Sequence, residues 1–188
     1  MRWLTILLLS LLLLPPLQAA APEPPDDRLR ELLRDAIASS DSFADRFEAE
    51  VWLLDMSRRL ETIVPDDVDR LRLLKSIHYE ASRADLPPEL VLSVIQVESH
   101  FDRWAISVAG AQGLMQIMPF WLKEIGRAGD NLFHVQTNLR MGCTILKYYL
   151  DMEHGDLTRA LGRYNGSLGK FKYPNKVFKV LRTRWYRQ

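Results

Sequence analysis

Apolar residues recur three and four positions apart along most of this chain, and the rows they form predict helices rather than strands. Leu29, Leu32, Leu33, Ala36 and Ile37 make one such row, and after Ser39-Ser40-Asp41 a second runs through Phe43, Phe47, Val51 and Leu54 to about Arg58. Pro65-Asp66-Asp67 has the composition of a helix start, with Pro in the first turn and acids that favour the positive end of the helix dipole. The stripe Val68, Leu71, Leu74, Ile77 and His78 carries that helix to about Ala84, where Asp85-Leu86-Pro87-Pro88 breaks it. The next helix is predicted from Pro88 to about Ser99, and a short one from Pro119 to about Ile125 ends near Gly126.

Thr137 reads as the N-cap of a longer helix through Leu139, Gly142, Cys143, Ile145, Leu146 and Tyr149 to about Glu153, stopped at Gly155. Asp156 caps Leu157 to Tyr164, which Asn165-Gly166 closes, and Pro174 to Tyr186 forms a terminal helix carrying Val177, Val180, Leu181 and Trp185. No run alternates with period two strongly enough for a large sheet. The expected fold class is therefore mainly α.

One position breaks the pattern. Val91, Val94 and Glu98 fall at i, i+3 and i+7, so a carboxyl sits on the stripe that should face the core. Apolar surroundings and the negative end of a helix both disfavour the anion, so this carboxyl is expected to keep its proton to higher pH than usual. A carboxyl of that kind suits general acid catalysis, although a structural Glu that reaches solvent is the commoner reading of one such residue. Downstream, Ala109-Gly110-Ala111-Gln112-Gly113 lets backbone approach a ligand or a facing helix closely, and Leu114-Met115-Gln116-Ile117-Met118-Pro119 sets one amide among apolar groups. Amide groups beside apolar walls are what a sugar site needs.

Length and composition narrow the class. The chain has 188 residues and 47% hydrophobic content, which suits one globular domain. Arg2, the apolar run Trp3 to Leu14, Pro15-Pro16 and Ala19-Ala20-Ala21 have the layout of a secretory signal peptide over 1–21, expected to be cleaved near Ala21 with an uncleaved anchor as the alternative. Residues 22–70 are read as a linker and helical cap and 71–188 as the main domain. No cysteine lies near the expected cleavage region, which argues against a lipoprotein, and Cys143, having no second cysteine, is read as core packing. The mature chain carries 24 basic and 24 acidic residues once Arg2 is removed, with a basic stretch from Lys170 to Gln188 that has 7 basic residues and no acid. Such a stretch is usually a solvated face, and otherwise leans on anionic polymers or a membrane surface. Balanced charge and the lack of a nucleic-acid motif argue against DNA or RNA as partners.

Other chemistries find little support. Alternate residues on a helix point about 200° apart, which scatters Glu98, His100 and Asp102 and disfavours a metal site. His78, His134 and His154 match no HExxH pattern, Ser107 and Ser167 lack a GxSxG elbow, and no Walker loop or dinucleotide fingerprint occurs. No cofactor is expected.

Glu98-Ser99, then AGAQGLMQIMP at 109–119 and Tyr164-Asn165, resemble the catalytic domain of the soluble lytic transglycosylases of bacterial cell walls, which is similar in fold to goose-type lysozyme. The resemblance covers about Ser76 to Arg182 and includes three motifs in the family's order. It implies a lysozyme-like single catalytic domain with an N-terminal helical extension. It also implies that Glu98 acts on the bond between N-acetylmuramic acid and N-acetylglucosamine, first as acid and then as base, leaving a 1,6-anhydro ring. Ser99, Gln116, Met118, Tyr164 and Asn165 would line the substrate site, with Ser99 and Asn165 hydrogen-bonding near the acid or the acetamido group.

Two departures stand out: Arg163 replaces the family's alanine before the tyrosine, and Lys176 aligns where the family often has a second tyrosine near the acid. Partners implied are peptidoglycan glycan strands and, from small size and the lack of a recognisable wall-anchoring module, an envelope-spanning secretion, pilus or conjugation machine. The periplasm is the expected location. Two rivals stay open: a lysozyme-type hydrolase with Asp102 holding water, and a non-catalytic wall-binding or assembly protein.

Overall fold

The computed structural model describes residues 28, 31–33, 42, 43 and 45–186, so the proposed leader and most of the first helical row lie outside the described residues. Among the described residues from Arg46 on, seven α-helices follow: α1 Arg46–Leu60, α2 Asp67–Arg83, α3 Pro88–Glu98, α4 Trp121–Ile125, α5 Val135–Met152, α6 Leu157–Tyr164 and α7 Lys172–Val180. A π-helical turn, Leu181–Trp185, continues α7. Among the described residues no strand forms; Gln112 makes isolated antiparallel bridges to Ile106 and Ile117.

α3 is the axis of the domain. Its residues Leu90 to Ile95 are buried consecutively, so this helix is enclosed on all sides rather than along one stripe. The single hydroxyl in that run, Ser93, returns its hydrogen bond to the Glu89 carbonyl at 2.7 Å and brings no unsatisfied donor into the core. Pro87 and Pro88 open the helix, where a missing N–H costs nothing. α2, α7 and the π-turn pack around it. Beneath its far end the fully buried Trp185 donates its indole N–H to Gln96 at 2.8 Å and takes the edge of Phe101 at 5.7 Å between ring centroids.

Asp caps start three helices: Asp45 accepts from Glu48 N at 2.7 Å, Asp66 from Asp69 N at 2.8 Å and Asp156 from Arg159 N at 3.0 Å. The long helix begins instead at Val135 after His134, three residues before the expected start, and Thr137 is not its cap. The Thr137 hydroxyl bonds Asp130, a carboxylate that also accepts from Arg127 N and Arg140 at 2.6 Å each. Those bonds hold the Asp130 carboxyl below its usual range, the Arg127 backbone contributing most. The terminal helix likewise departs from expectation: it starts at Lys172, and its second half is the π-turn. Phe43 lies before α1 and stacks on His78 at 3.6 Å.

Helix α1 is tied to the rest of the domain through its last turn. Arg70, 2% exposed, donates to Ser57 at 2.9 Å and to the Val64 and Pro65 carbonyls at 2.7 and 2.8 Å, and pairs with Asp67. Arg59 donates to the Arg184 carbonyl at 2.7 Å while Arg184 donates to the Arg59 carbonyl at 2.6 Å. The division drawn between residues 70 and 71 thus falls inside α2, beside the side chain that fastens α1. Cys143 is fully buried, and burial pushes its thiol far above the ordinary range.

Candidate active site

The last turn of α3 ends at Glu98, and the chain then reverses sharply because His100 and Phe101 both take left-handed backbone, at φ 51° and 67°. Phe101, buried against Trp185, holds that turn in place. The Glu98 carboxyl is left half-buried at the helix end. Burial raises its pKa above the ordinary value. The hydrogen bond from Tyr173, and after it the charge of Lys176, pull the pKa part of the way back. The Tyr173 hydroxyl donates to Glu98 Oε1 at 2.6 Å, so one carboxyl oxygen is fixed while the other has no hydrogen-bond partner among the described residues.

This contact corrects the alignment that put Lys176 in the tyrosine's place. Tyr173 and Lys176 are one turn apart on α7; the tyrosine reaches the carboxyl, and the lysine is exposed beside it. Burial also raises the Tyr173 and Tyr164 phenols well above their usual range, with the Glu98 charge adding to both, so both stay neutral donors. Replacing Tyr173 by Phe removes a bond that favours the anion and should raise the Glu98 pKa further. A carboxyl ¹³C titration of the two proteins reads this directly, as a midpoint that moves to higher pH.

Beside the carboxyl runs the loop between α3 and α4, folded tightly by the two bridges of Gln112. Gly113 at φ 77° and Gln116 at φ 51° make its reversals. Side chains from three elements grip its backbone. Asn138 on α5, 1% exposed, accepts from Met115 N at 2.7 Å and donates to the Gln112 and Leu132 carbonyls at 2.8 Å each. The Ser99 hydroxyl donates to the Leu114 carbonyl at 2.7 Å, and the Tyr164 hydroxyl to the Met115 carbonyl at 2.8 Å. These bonds from three elements make the loop a fixed wall rather than a flexible flap.

Of the sequence-predicted residues, Ser99, Gln116 and Tyr164 meet at the loop, but not in the expected roles. Ser99 and Tyr164 each have one hydroxyl proton, and both are committed to loop carbonyls rather than to a ligand. Both amide protons of Gln116 are spent within the loop, on Ala105 O at 3.1 Å and Gly113 O at 2.9 Å, leaving its carbonyl oxygen as an acceptor. Met118 is half-buried at the loop's end. Asn165 is exposed; its side-chain oxygen accepts from Ser167 at 3.1 Å, and its amide nitrogen has no partner among the described residues. Arg163 turns away and, with Arg159, pairs with Glu153 at the end of α5. Asp102 caps a turn by accepting from Trp104 N at 2.8 Å. Among the described residues no group of three or more His, Cys, Asp or Glu side chains is placed to hold a metal ion.

One contributor near Glu98, Tyr173, lies close to the aligned position without being assigned its role, and another, Asn138, escapes the sequence reading. Tyr173 was displaced by a three-residue error in register. Asn138 carried a usable signal, a polar residue four positions before Gly142 on a face that is otherwise core, and Gly142 packs directly against Met115 of the loop.

Comparison with known proteins gives a consistent result. A family model described as the transglycosylase SLT domain matches residues 75–182. The chain is 33% identical over 116 residues to a protein named transglycosylase of Enterobacteria phage PRD1, covering 58% of this chain and 43% of that protein. It is 27% identical over 125 residues to the membrane-bound lytic murein transglycosylase C of Photorhabdus laumondii, covering 57% and 35%. To the protein of the same name from Yersinia pestis it is 28% identical over 127 residues, with the same coverage. The chain thus spans less than half the length of these curated relatives. No helix among the described residues is long and apolar enough to cross a membrane.

Proposed function

The chain belongs to the transglycosylase SLT domain family, and from that premise we propose that it is a lytic transglycosylase of peptidoglycan with Glu98 as its acid and base. The observation that carries the proposal is the half-buried Glu98 carboxyl, raised in pKa and held at one oxygen by Tyr173 at 2.6 Å. The protonated carboxyl gives its proton to the oxygen bridging N-acetylmuramic acid to N-acetylglucosamine, and that bond breaks. The substrate's own acetamido group shelters the oxocarbenium-like centre. Glu98, now a carboxylate, takes the proton of the muramyl 6-hydroxyl as its oxygen closes the 1,6-anhydro ring. One proton leaves Glu98 and one returns, and no water is consumed.

An attacking hydroxyl on the same sugar has a high effective concentration, so a second carboxyl is not required. Tyr173 orients the carboxyl in both steps. The Gln116 carbonyl and Asn165 amide supply polar contacts for the sugar, beside the apolar Met118. The wall so cleaved lies in the cell envelope, and docking to an envelope-spanning machine belongs to the same proposal.

Mass spectrometry of the fragments released from purified sacculi tests the reaction. Anhydro ends, lighter than reducing ends by one water, are expected. Reducing ends would make the protein a hydrolase, and binding without any fragment would make it a wall-binding protein.

A further inference from the structure

From Leu157 to Gln188 the chain has nine cations, Arg159, Arg163, Lys170, Lys172, Lys176, Lys179, Arg182, Arg184 and Arg187, and no acid, although the whole chain is close to neutral. Some of these are used internally: Arg159 and Arg163 hold Glu153, and Arg184 holds the Arg59 carbonyl. Lys172, Lys176 and Lys179 are exposed and have no partner among the described residues. On α7 they stand at i, i+4 and i+7 in one row, while Tyr173 and Val177 form the buried row. Like charges at that spacing repel, and the acid whose field Lys176 enters is Glu98 itself.

The middle of the row lies by the candidate site. Lys176 is one turn from Tyr173, whose hydroxyl touches Glu98, and its charge is felt at that carboxyl. We propose that Lys176, with Lys172 and Lys179, binds carboxylates of the peptide stems carried by the glycan, so that the protein favours strands with free carboxylates over amidated ones. This rests on the reading of the substrate given above. A compact ammonium on a flexible stem suits carboxylates whose positions vary along a polymer, and the row would also draw such a polymer toward Glu98. An anionic lipid surface would meet the same charges, but it gives no reason for the row to pass beside the acid.

The test compares native sacculi with sacculi whose carboxylates have been converted to amides, using the wild type, Lys176→Gln, Lys176→Arg and the Lys172/Lys176/Lys179→Gln triple variant. Two readouts are taken, the rate of fragment release and co-sedimentation of the protein with sacculi, the second independent of cleavage. The wild type is expected to favour native sacculi in both, roughly fivefold or more, with the preference weakening as salt is raised. Lys176→Gln should lose part of that preference through KM, Lys176→Arg should keep it, and the triple variant should lose it. Equal handling of native and amidated sacculi by the wild type overturns the proposal while leaving lytic activity standing. Absence of fragments in every sample overturns the reaction, and co-sedimentation then still decides the carboxylate preference. Lysine-dependent binding to vesicles of anionic phospholipid, with no discrimination between the two kinds of sacculi, assigns the row to a membrane and overturns the proposal.

Discussion

Replacing Glu98 by Gln is expected to slow fragment release from sacculi by roughly 10²- to 10⁴-fold, the range a positioned general acid supplies. The substitution keeps shape and an oxygen that can accept from Tyr173, so the loss would be one of proton transfer and not of folding. The sign of the stability change separates the two. Burial raises the folded-state pKa of Glu98 above its ordinary value. Its contribution to stability is therefore full below the unfolded pKa and is lost as pH climbs through the raised one. At neutral pH the wild type bears the cost of a half-buried anion or of holding a proton there, and the Gln variant does not. Its thermal midpoint at pH 7 should equal or exceed that of the wild type, and the advantage should vanish near pH 4. A variant that is slow because it is less stable would contradict the assignment. The pH profile gives a further check: the acid step of the wild type should fail as pH rises through the raised pKa, while still running above the pH at which ordinary carboxyls have ionised.

Much of this was legible in the chain because it depends on short-range patterning. The 3.6-residue repeat and the Pro and Asp starts located α2, α3 and α6 within a residue or two, and the stripe through Val91 and Val94 delivered Glu98 to the edge of the core. What the pattern could not show is where hydroxyls and amides spend their protons. Ser99, Gln116 and Tyr164 are polar residues beside the carboxyl, and sequence alone makes them look like ligand contacts. Their partners turn out to be loop carbonyls brought in by chain reversal, at separations of up to 49 residues. The π-turn after α7 was equally hidden. Its apolar row continues the helical repeat, and only the seating of Trp185 under Gln96 shows that the winding has widened.

The same hidden network implies that the wall beside Glu98 is brittle, and Gly113→Ala tests this at its tightest point. A methyl group at residue 113 would lie 2.5 Å from the Leu132 carbonyl oxygen and closer still to the Asn138 amide nitrogen. The carbonyl belongs to backbone that cannot swing aside, and the backbone itself stands at φ 77°, where an L side chain costs about 1–2 kcal/mol. Relief by moving Asn138 would break donations to Gln112 and Leu132 from a side chain with no water to replace them, at about 1–3 kcal/mol for each group left unpaired. A total loss of about 3 kcal/mol should lower the thermal midpoint by roughly 6–12 °C in a chain of this size. Fragment release measured well below that midpoint should fall at least tenfold as well, because the loop carries Gln116 and Met118 and takes the Tyr164 and Ser99 hydroxyls. Removing the amide in Gly113→Ala/Asn138→Ala would clear one clash but not the carbonyl, so the double variant should recover neither property. If Gly113→Ala leaves both the midpoint and the rate unchanged, the loop is not held as described, and the fixed wall beside the acid must be abandoned.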